Sequence, residues 1–218
     1  MIWVSSAREI SWVPNDQSAI ALTFDDGPAE WTEPILDTLR LTGVRATFFV
    51  IGDAIPGREA TLRRTAREGH EIGSHALLHR RLDVGLRLAE IQDELIATSE
   101  AIKSVLGKPP VVFRPPGFGC NELVQEAAGA CGFGWVVQAS VWCEDWNEGS
   151  SETIAAKILD HAELRSGAII DLHDGRPPHE SASREDRVPT VAAVAKIVPA
   201  LVERGFSLLS VSELLALE

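Results

Sequence analysis

Short apolar runs alternate along this chain with longer stretches in which apolar residues recur every three or four positions. The first run, residues 19–24, lies between Asp16 and Asp25-Asp26-Gly27-Pro28, and reads as a buried strand ending in a turn. Thr32 then stands where it can cap a helix whose apolar residues Ile35, Leu36, Leu39 and Leu41 end at Gly43, before a second strand at 46–51. The same pattern continues with a helix near 58–68, a strand leading to His75, a long helix near 86–106 and a strand at 111–113. Beyond Pro115 and Pro116 come a helix near 123–130, a strand near 135–139, a helix near 153–164 and a strand at 168–172. A helix near 191–204 precedes a last strand at 206–211.

About seven strands separated by helices predict a parallel sheet covered by helices, because parallel neighbours need long crossover connections. A closed barrel and a doubly wound sheet both satisfy the pattern. No repeat, low-complexity segment or linker divides the chain, so residues 1–218 are expected to form one domain. The polar stretch 175–186 after the sixth strand suits the rim of an active site.

Composition narrows the partners more than the fold. Twenty Lys and Arg against 32 Asp and Glu leave a net charge of −12, which argues against a nucleic-acid partner. No apolar run reaches the roughly 20 residues that span a bilayer, so no membrane span is expected. The N-terminus lacks the pattern of a signal peptide, which points to a cytoplasmic protein or to a chain that has lost its leader. Cys120, Cys131 and Cys143 form no C-x-x-C pair and leave an odd count, so a disulfide framework is not expected and a reducing compartment is slightly favoured.

Residues able to do chemistry follow the predicted strands, the end of a parallel sheet at which sites are built. Asp25 and Asp26 follow the first, His75 and His79 the third, Arg114 the fourth, Asp145 the fifth, and His173 with Asp174 the sixth. His75 and His79 are four residues apart, which on a helical turn puts both on one face. With one carboxylate they would make an open metal site, whereas alone they fit a solvated helix face equally well. Asp25-Asp26 is good turn sequence, yet adjacent carboxylates need a cation or a shared proton, and a metal would let one bind while the other stays free as a base. Arg114, held extended by the prolines after it, could clamp a carboxylate or lie exposed on the surface. His173 could serve the site or be a hydrogen-bonded core histidine, Trp146 could fill the core or wall a pocket, and Trp31 could stack on a sugar or be buried.

Taken in order, Thr23 to Pro28, Ser74 to His79, Arg114-Pro115-Pro116, Asp145-Trp146 and Leu172-His173-Asp174 resemble the five motifs of the NodB-homology polysaccharide deacetylases, carbohydrate esterase family four. The resemblance runs from about Ala19 to the Leu214-Leu215 tail and implies an α/β fold, a distorted (β/α)7 barrel of parallel strands with outer helices. It implies further that Asp25 is the general base, that Arg114 orients it, that His173 is the general acid and that Asp145 tunes that acid. Asp26, His75 and His79 would hold a divalent metal, Zn2+ first, with Co2+, Mn2+ or Ni2+ as alternatives. Trp146 would line the pocket for the acetyl methyl, with Pro116, Gly117 and Leu172 completing the substrate contacts.

Three positions depart from the family pattern. Gly117-Phe118 replaces the usual aromatic-then-glycine pair, Trp142 stands where an aspartate is frequent, and Asp171 stands where an apolar residue often lines the acetyl pocket. The implied activity is removal of acetyl groups from an N-acetylated glycan of chitin or peptidoglycan type. The alternatives are an acetyl-ester (acetylxylan-type) or small-amide hydrolase, and a glycan-binding module without activity.

Overall fold

The computed structural model of the chain describes residues 6–177 and 186–218. In chain order the elements are β1 (Arg8–Ile10), β2 (Ala19–Gly27), α1 (Thr32–Thr42), β3 (Thr47–Val50), α2 (Glu59–Arg67), β4 (Glu71–Ser74), α3 (Leu88–Leu106), β5 (Val112–Phe113), α4 (Glu122–Ala130), β6 (Trp135–Val137), α5 (Ser151–Leu159), β7 (Ile169–His173), α6 (Val188–Glu203), β8 (Ser207–Leu209) and α7 (Val211–Leu215). Every strand ladder is parallel, in the order β1-β6-β5-β4-β3-β2-β7, with β8 also paired to β2. A single bridge between Val141 and Ile170 joins the chain beyond β6 to β7. The result is a distorted (β/α)7 barrel wrapped in helices, with β1 added outside β6. Among the described residues no helix is long and apolar enough to cross a membrane.

Strand alternation sorts the side chains into two layers. Ile20, Leu22 and Phe24 of β2 and Ile170 and Leu172 of β7 belong to the outer layer, packed with Ile35, Leu36 and Leu39 of α1 and Val194, Ile197 and Leu201 of α6. Each such side chain contributes roughly 1.5–3 kcal/mol on burial, so this layer holds the helices to the strands. Residues of opposite parity face inward. Ala19, Ala21 and Ile169 pack with Val211 and Leu214 of α7, which plugs the lower end of the barrel, while Thr23, Asp25, Asp171 and His173 lie higher on the same faces.

Four local expectations are corrected. Thr32 does not cap α1; its hydroxyl, inside the first turn, accepts from the Ala29 amide and donates to Asp174. The expected strand at 206–211 ends at Leu209, because Ser210 and Glu213 form a reciprocal capping box that starts α7. Helix α5 stops at Leu159, and β1 is an additional strand. Of the polar loop expected at 175–186, residues 178–185 lie outside the described residues.

Candidate active site

Asp25 and Asp26 end β2, and the chain there is folded so tightly that glycine is required beside it. Asp26 adopts a left-handed backbone with φ 73°, and a Cβ on Gly175 would lie 2.0 Å from the Asp26 carbonyl oxygen. The amides of Asp174 and Gly175 both donate to the Asp25 carbonyl, which ties the tail of β7 to the end of β2. With Asp25 opposite His173 in the ladder, side chains from both strands enter one cavity.

Arg114 is wholly buried, not exposed. Its Nη1 donates to Thr23 Oγ1 at 2.7 Å, Asp25 Oδ1 at 2.8 Å and Asp171 Oδ1 at 3.0 Å, so one nitrogen bridges two carboxylates where a two-point clamp on one was the simpler expectation. Its Nε and Nη2 donate to the carbonyls of Val137 and Gln138. The guanidinium carbon rests 4.3 Å from the centre of the Phe49 ring, which has room there because position 73 is glycine: a Cβ would meet Phe49 at 2.5 Å. Burial alone would raise the Asp25 pKa, but the charges of Arg114, His75 and His173 outweigh it and hold the carboxyl below its usual value.

Asp26, His75 and His79 present one ligand atom each within 4.8 Å of one another. The two histidines do not share a helical turn; they sit on an irregular loop in which Ala76 and His79 take left-handed backbones. His75 Nδ1 is 2.8 Å from the Arg114 carbonyl, an acceptor, so Nδ1 carries the proton and the Nε2 lone pair faces Asp26 Oδ1 at 3.5 Å. His79 Nε2 is 3.2 Å from the same oxygen, which is buried and makes no hydrogen bond. Burial drops the His79 pKa to about 3, leaving a neutral imidazole able to bind a cation, and raises that of Asp26 to about 7. A buried carboxyl oxygen without a hydrogen bond, faced by two neutral ring nitrogens, fits a divalent metal. So does the charge around it. Asp25, Asp26, Asp145, Asp171 and Asp174 are buried together beside Arg114, Arg187 and His173, and burial raises Asp26 and Asp174 to about 7, so carboxyls here hold protons that a cation would displace.

Glu94 supports this loop and escaped sequence reasoning. On α3 it interrupts the buried stripe of Ile91, Leu95, Thr98 and Ile102, and its carboxylate accepts from the amides of Leu77 and Leu78 and from Arg80. A carboxylate within an apolar stripe was the available signal.

On the opposite wall, His173 Nδ1 lies 2.8 Å from Asp145 Oδ1, and the His173 amide donates to Asp145 Oδ2 at 3.0 Å. Thr190 of α6 donates to that second oxygen at 2.7 Å, another partner invisible in the sequence. Burial opposes charging His173, but Asp145, Asp171 and Asp26 prevail and put its pKa well above the ordinary value.

The cavity between these walls has a volume of about 220 Å³. Gly117, Phe118, Trp142 and Trp146 line it together with Asp171, Pro177 and Arg187. Gly117 takes φ 59°, and the loop closes through the amides of Phe118 and Gly119 on the carbonyls of Pro115 and Pro116. Two expected contacts are corrected. Leu172 points into the outer apolar layer, since it has the opposite parity to His173, and Pro116 is buried without lining the cavity. Arg187, wholly buried against the site, was also not anticipated. Trp31 is half-buried beside a shallower groove that shares Asp26 with this cavity.

Residues 13–136 match the family described as "Polysaccharide deacetylase". A peptidoglycan-N-acetylglucosamine deacetylase of Bacillus cereus is 36% identical over 94% of this chain and 92% of its own length. A chitooligosaccharide deacetylase of Bradyrhizobium sp. is 36% identical over 87% of each chain. Among solved structures, a peptidoglycan N-acetylglucosamine deacetylase crystallised with a naphthalenyl benzamide superposes with a TM-score of 0.85 at 30% identity, covering 96% of this chain and 94% of that one.

Proposed function

Because the chain belongs to the polysaccharide deacetylase family, we propose that it is a metal-dependent hydrolase that removes acetyl groups from N-acetylated sugars of a chitin- or peptidoglycan-type glycan. The observation that carries the reading is the placement of Asp25 and His173 as paired positions on neighbouring strands at one cavity, beside the cluster of Asp26, His75 and His79. That cluster would hold the divalent ion, Zn2+ by its two-imidazole, one-carboxylate donor set, and the ion would supply Lewis acidity to the amide oxygen and the attacking water.

The remaining steps belong to side chains of the chain itself. Asp25, kept ionised by Arg114, takes a proton from the water whose oxygen bonds to the carbonyl carbon. His173, kept charged by Asp145, hands a proton to the sugar nitrogen as the carbon–nitrogen bond breaks. Acetate and a free amine leave, and the proton on Asp25 returns to solvent or to His173. The amide of Gly117 is the backbone donor nearest in role to an oxyanion contact, and Trp142, Trp146 and Phe118 shield the reacting centre.

Mass spectrometry of products from chitooligosaccharides, peptidoglycan fragments and acetylated xylan tests the reading. Free amines from the first two are expected; release from xylan alone would replace it with an ester hydrolase.

A further inference from the structure

The inward faces of β2 and β7 carry two layers of polar side chains. Asp25 pairs with His173 at the mouth, and Thr23 pairs with Asp171 one layer down. Two residues along a strand is about 6.6 Å, so Asp171 forms the floor beneath the reacting centre. Arg114 closes that layer by bonding Thr23 and Asp171 through one nitrogen, with Phe49 against it.

A carbonyl carbon attacked between Asp25 and His173 carries three substituents. Its nitrogen must reach His173, its oxygen the cation cluster, and the rest of the acyl group is left with the floor. We propose that Asp171 sets the acyl specificity, and that the group it selects bears a hydroxyl beside the carbonyl: glycolyl in preference to acetyl. This rests on the amide-hydrolase reading above and names its substrate more narrowly.

Asp171 is buried and lines the cavity, and its Oδ1 is taken by Arg114, while among the described residues Oδ2 makes no hydrogen bond. A methyl group pressed on that oxygen removes its water and returns nothing. A glycolyl hydroxyl restores the lost bond. Leaving a buried polar oxygen of this kind unsatisfied costs about 1–3 kcal/mol, or roughly 5- to 150-fold in kcat/KM. The bond forms in either protonation state, since a carboxylate accepts from the hydroxyl and a carboxylic acid donates to it. Burial and the Asp25 charge hold Asp171 well above the usual carboxylate range, against His173 and Arg114. The reaction itself is ordinary hydrolysis: the water oxygen bonds to the glycolyl carbonyl carbon, the carbon–nitrogen bond breaks, and glycolate and an amine are released.

Glucosamine oligomers carrying N-acetyl or N-glycolyl groups, assayed with the zinc-loaded protein for amine release, test the proposal. The wild type is expected to prefer N-glycolyl at least about fivefold. Asp171→Leu should reverse the preference, and Asp171→Asn, which keeps the shape and a hydrogen-bonding group, should retain it. Glycolate should also compete for the site at lower concentration than acetate, a measurement that needs no variant. Equal or better turnover of N-acetyl oligomers by the wild type overturns the proposal and leaves the hydrolase reading standing, whereas no turnover of either overturns both. An unchanged ratio in Asp171→Leu overturns it as well; if that variant does not fold, the wild-type ratio and Asp171→Asn decide.

Discussion

Asp145→Asn isolates the part of the site that keeps His173 charged. The substitution preserves volume in a position that is 2% exposed and removes one negative charge at 2.8 Å from the imidazole nitrogen. Charges centred about 4 Å apart interact by roughly 4 kcal/mol at an effective dielectric of 20, and at 1.36 kcal/mol per tenfold that is about 10³ in rate if the transition state loses all of it. Asp171 and Asp26 still face the ring, so a loss of about 10² to 10³ in kcat is expected. The pH profile supplies an independent reading. A raised His173 pKa keeps the acid form present into alkaline solution; without Asp145 the pKa falls and the alkaline limb of kcat moves to lower pH. Activated aryl acetates, whose leaving group departs unprotonated, should lose much less than N-acyl sugars. Thr190→Val, which removes only the hydroxyl donor to Asp145 Oδ2, should cost no more than about tenfold, the scale of one hydrogen bond. An Asp145→Asn enzyme within tenfold of wild type, with its alkaline limb unmoved, would refute the reasoning.

Asp25→Asn is expected to abolish most turnover with metal content unchanged, while Asp26→Asn should lose metal; elemental analysis beside kinetics separates the two, and equal metal loss would show the division of roles to be wrong. Glu94→Ala leaves the Leu77 and Leu78 amides without their acceptor, a cost of about 1–3 kcal/mol, and should weaken zinc binding about 10- to 100-fold through the loosened His79 loop, as read by competition with a chelator. Asp26 and Asp174, both raised by burial to about 7, hold protons in the folded state that they release when unfolded above about pH 4, a contribution lost as pH rises toward 7, whereas His70 and His79, lowered by burial to about 4 and about 3, contribute in the opposite sense. Asp174→Asn should therefore remove the fall in metal-free stability that Asp174 contributes between about pH 4 and 7, as read from melting curves against wild type. Zinc would displace the proton on Asp26, so melting curves with and without chelator should diverge more at about pH 7.5 than at about pH 5; parallel curves would count against the site.

Most of the seven strands from β2 to β8 were readable as compact apolar runs closed by turn residues, with β4 marked instead by its place before His75, and their order brought Asp25, His75, Arg114, Asp145 and His173 to one end of the sheet. What escaped has physical reasons. Residues 8–10 are short, charged and hydrogen-bonded on one side only, so β1 had no hydrophobic signature. A strand covered on both faces is apolar at every position but the functional ones, which hid the inward face until Asp171 and His173 marked the parity that excludes Leu172. The spacing of His75 and His79 suggested a helical turn, and only tertiary bonds from Glu94 reveal how an irregular loop brings them together. Thr190 and Arg187 come from the far end of the chain, and no local pattern announces them. The capping box at Ser210 and Glu213 follows directly on an apolar run, which is why the sequence reading carried the last strand on to 211.

Arg114 is bonded to side chains or carbonyls from β2, β7 and the β6 segment and is stacked on β3, so a single buried guanidinium spans much of the barrel's circumference. Its loss would strand Asp25 and Asp171 as neighbouring buried carboxyls without their shared donor, a fault in the architecture before it is a fault in the chemistry. A descendant that abandoned hydrolysis could discard His79 at little structural expense, since that ring touches solvent and carries no strand, yet it would still be obliged to keep the arginine. In surveys of such descendants, the arginine therefore reports an intact scaffold, and the imidazole pair is the better witness to surviving activity.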